Sequence, residues 1–250
     1  MGAFPLCHPE GVMENEIPAP ARQLQFGQLL LAIDTCGPTG SVALGRLAGR
    51  DLEILGQTEL EGRSYSTTLI AAVGDLLKSA GVVLGDLGGI VAVNGPGSFT
   101  GVHVGLSAVK GLAEGAGIAV VAISRLEVLS RKTGVPSAAL DAHRGEVFLR
   151  LEGIGRAPRE LLAGAHELAA IAPPPLRVAV CDDAAAALLA SAWPGAQLVM
   201  SPPPMAKDTL RIGEARLVAG AAVDLALLDA HYLRRSDAEI FGEAAGAPRS

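Results

Sequence analysis

The sequence predicts a layered α/β protein. Half of the residues are apolar but only 3% are aromatic, short continuous apolar runs alternate with segments of helical period, and glycine or proline turns separate them. With 31 glycines, the interior must be closely packed Ala, Val, Leu and Ile. A chain of 250 residues is enough for one large domain or two compact lobes.

The elements follow in order. LLLAI (Leu29 to Ile33) reads as a strand buried on both faces, running into Asp34 and the turn Gly37, Pro38, Thr39, Gly40. SVALGRL (Ser41 to Leu47) and LEILGQTEL (Leu52 to Leu60), split by Gly49, Arg50 and Asp51, complete an antiparallel meander. Leu69, Ile70, Val73, Leu76 and Leu77 recur at helical spacing between Thr67 and Ala80, and Gly81 ends that helix. A buried strand (Ile90 to Val93), a second helix (Thr100 to Gly115) and another buried strand (Ile118 to Ile123) follow. Ser124 with Glu127 matches a capping box, opening a short helix towards Thr133.

After Pro136 the pattern restarts. Ala138 to Leu140 ends in Asp141, a turn closes at Gly145 and a strand runs from Glu146 to Leu151, as the opening strand ends in Asp34 and restarts after Gly40. Two strand-Asp-turn-Gly-strand units about a hundred residues apart suggest two related lobes. Residues 153 to 175 carry little legible pattern. A strand (Arg177 to Val180), an Ala-rich helix (Asp183 to Ala192) and a helix around Met205 to Ala219 complete a second, smaller lobe. The expected division is an extension over 1–28, with Met13 as an alternative start, a first lobe over 29–135, a second over 136–240 and a tail over 241–250.

Composition also excludes functions. A net charge of -6 is the wrong sign for holding nucleic acid by the chain's own field. Cys7, Cys36 and Cys181 are odd in number and far apart, against a disulfide framework or a thiolate metal site. No uninterrupted apolar stretch is long enough to span a membrane, and the first twenty residues lack the basic start and apolar core of a secretory signal, so the expected location is the cytoplasm.

The sharpest motif is NGPGSFTG, Asn94 to Gly101, between a buried strand and a helix. Gly95, Gly97 and Gly101 allow tight turning and close approach, and Ser98 or Thr100 can cap the helix, whose positive end can receive an anion. The motif lacks a P-loop lysine and matches neither the dinucleotide fingerprint nor the GxSxG elbow. It reads equally as a tight, well-capped connection. In the helix that follows, Gly101, Gly105, Ala108 and Gly115 fall near one stripe. Glycines inside a helix imply close approach, by this chain's own sheet or by a helix of another subunit. Asp34 and Asp141 can each cap their own hairpin turn through backbone N–H groups.

The blocks LLAIDTCGPTGSVAL, NGPGSFTGVHVGLSAVKGLAEG, ISRLEVLS, LDAHRGEVFLRLE and AHYLRRSDAE, in that order and spacing, resemble the bacterial TsaB (YeaZ) family of tRNA threonylcarbamoyladenosine biosynthesis. The resemblance covers roughly Leu29 to Glu239 and implies an actin/Hsp70-like (ASKHA) fold of two lobes. It implies a non-catalytic scaffold that heterodimerises with the catalytic subunit TsaD and is joined by the ATPase TsaE, with TsaC supplying the threonylcarbamoyl-adenylate. The product is a modified adenosine beside the anticodon of ANN-decoding tRNAs, and tRNA is met only through the complex. Pairing is implied through the first-lobe helices, with Leu69, Val73, Gly101, His103, Gly105 and Ala108 as the expected partner interface, and a homodimer is expected when TsaD is absent.

No cofactor is expected to be held firmly by this chain, and ATP or ADP, if any, belongs at the complex boundary; Asp34, Gly95, Gly97 and Asp141 are the weak candidates. His8, His103, His143, His166 and His231 contain no HxxxH or HExxH pair, so no metal site and no catalytic residue is expected. Ser64, Tyr65 and Ser66 stand where the family shows a His, His103 where it shows an Arg, and Cys36 where Ser or Ala is commoner. The competing reading is a stand-alone ASKHA phosphotransferase using Asp34, Asp141 and the Gly95 to Gly101 loop. A peptidase has neither its metal nor its nucleophile here.

Overall fold

A computed structural model describes residues 27–48, 51–61, 64–152 and 157–233. The expected 1–28 extension, except Gly27 and Gln28, and the 241–250 tail lie outside these residues, as do Gly49 and Arg50 of the first hairpin turn.

The chain forms the unit βββαβαβα twice. The first comprises β1 (Leu29–Asp34), β2 (Thr39–Ala48), β3 (Asp51–Glu61), α1 (Tyr65–Ser79), β4 (Leu87–Val93), α2 (Phe99–Ala116), β5 (Val120–Ile123) and α3 (Arg125–Thr133). The second comprises β6 (Ser137–Asp141), β7 (Val147–Leu151), β8 (Arg159–Ala163), α4 (Ala165–Ala170), β9 (Arg177–Val180), α5 (Asp183–Ala192), β10 (Gln197–Met200) and α6 (Ala206–Val218). The sheet orders, β3-β2-β1-β4-β5 and β8-β7-β6-β9-β10, are the same topology. In each, the first three strands pair antiparallel and the last two add in parallel. The fold is α/β, with two mixed sheets flanked by helices in an ASKHA-like arrangement.

Alternation along the strands sends side chains to two cores per sheet. Leu29, Leu31 and Ile33 of β1 pack with Leu69 and Val73 of α1 and Leu106 and Val109 of α2. Leu30 and Ala32 face Leu210 and Leu217 of α6. In the second sheet Ala139, Leu149 and Val178 pack on Leu189 and Trp193, while Ala138, Leu140 and Phe148 pack on Leu126 and Leu129 of α3.

All strands of the first sheet precede residue 135 and all of the second follow it. The helices do not respect that boundary. α6, expected to complete the second lobe, covers the first sheet, where Gly213 is so close to Val91 that a Cβ would collide with it. α3, expected in the first lobe, covers the second sheet. An amphipathic stripe specifies that a helix must be covered, not by which sheet.

β8, α4 and β10 lie in segments where no element was expected. β8 and β10 are edge strands with few fully buried residues, so they lack the continuous apolar signal of the central ones.

Candidate functional site

The turns at the ends of β1 and β6 are closed by their own aspartates. Asp34, 1% exposed, accepts the Cys36 backbone N–H at 2.9 Å. Asp141 accepts the His143 backbone N–H at 2.8 Å and meets His143 Nδ1 at 2.8 Å. That carboxylate steadies His143 and Arg144, both left-handed at φ 61° and 57°. The backbone N–H of Asp141 in turn donates to Asp182.

Asp34 has a second partner that sequence reasoning missed. Arg125 opens α3, and its Nε lies 3.4 Å from Asp34 Oδ2, with the two side chains 7% and 1% exposed. The guanidinium lies over Gly37, where any added Cβ would strike it. Burial is the largest influence on the Arg125 pKa and lowers it, but the Asp34 charge and hydrogen bond together with Cys36 and Cys181 outweigh it and the net shift is upward. A cation in the first turn of a helix opposes the helix dipole, and that mismatch is the signal from which a buried acidic partner was foreseeable. A Mg²⁺-nucleotide does not fit here: one Asp34 oxygen is bound to backbone, the other faces a buried cation, and the space above Gly37 holds that cation.

The glycine loop is closed on its own chain. Ser98 N–H donates to Cys36 O at 2.8 Å, the Cys36 thiol donates to Val93 O at 3.4 Å, and a Cβ on Gly97 would meet Cys36 O. Gly95, at φ 112°, packs against the His231 carbonyl and accepts the Arg125 N–H at 2.7 Å. Gly95 and Gly97, candidates for cofactor approach, thus permit approach of this chain's own backbone. Ser98 caps α2 by accepting from Gly101 N–H at 3.3 Å. Burial, then the Asp34 charge, pushes the Cys36 thiol well above its ordinary pKa, consistent with a structural residue in the turn.

The expected interface divides. Gly101 and Gly105 face Thr35: its carbonyl lies where a Gly101 Cβ would be, its Oγ1 where a Gly105 Cβ would be, and the hydroxyl donates to Gly101 O at 2.7 Å. Leu69 and Val73 are 1% and 2% exposed within the core. These four belong to this chain's own packing, because the stripe carrying them points at β1 rather than outward. His103 and Ala108 are half-buried. His103 Nδ1 lies 2.8 Å from Phe99 O and its Nε2 2.6 Å from the Tyr232 hydroxyl, within a stack of Phe99, His103 and Tyr232. Tyr65, standing where the family shows a nearby His, donates to Gly37 O at 2.7 Å. The outward faces are others: Ile70 and Gly74 on α1, Ser107, Gly111 and Gly115 on α2, with open space above the three glycines.

A second polar centre joins distant segments. Glu160 on β8 accepts from Arg150 at 2.6 Å, Ser124 at 2.6 Å and His231 at 2.8 Å. Burial raises its pKa, but these three donors outweigh burial and hold the carboxyl below its ordinary value. Glu127, expected to close the capping box, instead takes Arg216 at 2.6 Å. Among the described residues no cluster of three or more His, Cys, Asp or Glu could hold a metal ion, and no helix is long and apolar enough to cross a membrane.

The family model of TsaD, tRNA N6-adenosine threonylcarbamoyltransferase, matches residues 57–159. The tRNA threonylcarbamoyladenosine biosynthesis protein TsaB of Escherichia coli (strain K12) is 36% identical over 125 residues, 48% of this chain and 52% of the relative. TsaB of Bacillus subtilis (strain 168) is 36% identical over 126 residues, 49% of this chain and 54% of that protein. The chain thus spans about half the length of the curated relatives it matches. A Pseudomonas aeruginosa structure described as similar to peptidase YEAZ superposes with a TM-score of 0.67 at 27% identity, covering 83% of this chain and 100% of that one. In its sequence blocks, its doubled sheet and these relatives, the chain is similar to the TsaB (YeaZ) proteins.

Proposed function

We propose that this chain is a non-catalytic subunit of tRNA threonylcarbamoyladenosine synthesis. It acts by pairing with TsaD, TsaE joins the pair, TsaC supplies the activated threonylcarbamoyl group, and tRNA is met through the assembly. The names of its curated relatives support the pathway. The observation that carries the non-catalytic role is the buried Asp34–Arg125 pair, which neutralises the acid that a nucleotide-using relative of this fold would need. The same pair weighs against a stand-alone phosphotransferase.

The pairing face in this reading is the outward side of α1 and α2, around Ile70, Gly74, Ser107 and Gly111, where exposed apolar and small residues let a partner helix come close. In the absence of TsaD the same face supports a homodimer. Purified TsaD, TsaE and TsaC should modify tRNA when this chain is added and fail without it. Gly111→Arg, in open space, should leave the fold intact and abolish co-elution with TsaD. Modification at full rate without the chain overturns the role, and wild-type co-elution of Gly111→Arg overturns the face.

A further inference from the structure

Beyond α6 the described chain runs as an irregular strap, residues 221–233, along the edge strand β5 towards the second sheet. Val223 N–H donates to Val120 O at 2.8 Å, and His231 N–H donates to Asn94 O, just past the end of β4, at 2.7 Å. Between these anchors the strap bonds to itself, Leu227 N–H to Asp224 O at 3.0 Å and Ala226 N–H to the Asp224 carboxylate at 2.9 Å, while Leu228 is buried in the core shared with α1 and α2. A segment held near its ends and by a few apolar side chains can open as a unit without unfolding the sheets.

Three consecutive residues at its end go to three places. His231 Nε2 lies 2.8 Å from Glu160 Oε2, on the edge strand of the second sheet. Tyr232 turns back to α2, its hydroxyl 2.6 Å from His103 Nε2 and its ring stacked with Phe99 and His103. Leu233 joins the core around Leu140 and Phe148. Phe99 and His103 lie two turns and one turn before Ser107, on the side of α2 that the pairing face uses. Phe99 and Tyr232 are 67% and 51% exposed, and aromatic rings so placed are the side chains that interfaces most often use as anchors.

We propose that the strap is a latch coupling the pairing face to the junction of the two sheets: TsaD seated on the Phe99–His103–Tyr232 stack holds Tyr232 in place, and through the adjoining peptide holds His231 on Glu160. The proposal rests on the outward side of α2 being the pairing face. Its basis is linkage. The docked strap puts the Tyr232 ring where a partner can touch it and the open strap does not, so pairing favours the docked state and, reciprocally, loss of the Glu160 anchor weakens pairing. The Glu160 side chain is 7% exposed, so its effect reaches a partner through the strap.

Two measurements test the latch. In the full chain alone, Tyr232→Phe keeps the ring but removes the bond to His103; the His231 amide should exchange its hydrogen about fivefold faster or more, with the amides of β1 and β4 unchanged. Calorimetric titration with TsaD should show a folded His231→Ala binding about fivefold more weakly or worse, although that side chain points at Glu160 and away from the face. An unchanged His231 amide in Tyr232→Phe, or wild-type affinity of His231→Ala where Gly111→Arg abolishes pairing, overturns the latch and leaves the face standing. Wild-type pairing by Gly111→Arg overturns the face instead, and the exchange comparison in the free chain still decides whether Tyr232 and His231 are coupled.

Discussion

Two glycines on one helix should respond to the same substitution with opposite signs. In α2, Gly111 has no atom within 4 Å of where a Cβ would stand, whereas a Cβ on Gly101 would fall inside the Thr35 carbonyl and 3.2 Å from Tyr65 Cε2. Alanine is favoured over glycine in a helix interior by about 1 kcal/mol, so Gly111→Ala should stabilise the protein by up to that amount. At Gly101 the same propensity gain is opposed by displacement of backbone that cannot yield like a side-chain tip. Overpacking typically costs about 1–3 kcal/mol, and moving Thr35 also strains its 2.7 Å hydrogen bond to Gly101 O, worth roughly 1 kcal/mol. The net expectation for Gly101→Ala is a loss of roughly 1–3 kcal/mol. Urea denaturation followed by circular dichroism measures both variants. Equal stabilisation of the two would refute the placement of α2 on the β1 turn and return that stripe to an outward surface.

Two further outcomes follow from the polar centres. Arg125→Leu leaves Asp34 buried without its cation and should cost about 3–5 kcal/mol, and adding Asp34→Asn should recover part of that, read as a non-additive double-mutant cycle in denaturant. Glu160 has a folded pKa held below its unfolded value, so its contribution to stability is present above the ordinary glutamate range near 4.3 and disappears as pH falls through the lowered folded value. Glu160→Gln should flatten that part of the stability–pH curve as pH falls below the ordinary glutamate range, and a curve parallel to wild type would contradict the three-donor arrangement.

Central strands and the glycine turn were legible because their signals are local. LLLAI and IVAV are unbroken apolar runs, and both sit in the middle of the first sheet with both faces covered. Of the two caps that position offered, Ser98 and Thr100, the structure uses Ser98. What stayed hidden depends on tertiary neighbours. Gly105 looks the same in sequence whether it meets Thr35 or another molecule, and Gly111 six residues on does face open space. Glu160 gathers partners from residues 124, 150 and 231, and no periodicity links those positions. Glu127 has capping-box spacing, yet a guanidinium from α6 competes for its carboxylate and wins, since a charged partner binds it more strongly than one backbone amide.

The exchange of α3 and α6 between the sheets makes the two repeats mutually dependent. A fragment ending near residue 135 would leave Leu30, Ala32 and Val91 without Leu210 and Leu217 above them, and its counterpart would lose Leu126 and Leu129 from over Leu140. Neither piece is then a finished globule, and the ancestral unit from which such a duplication arose would have needed a second copy of itself to supply the missing lid.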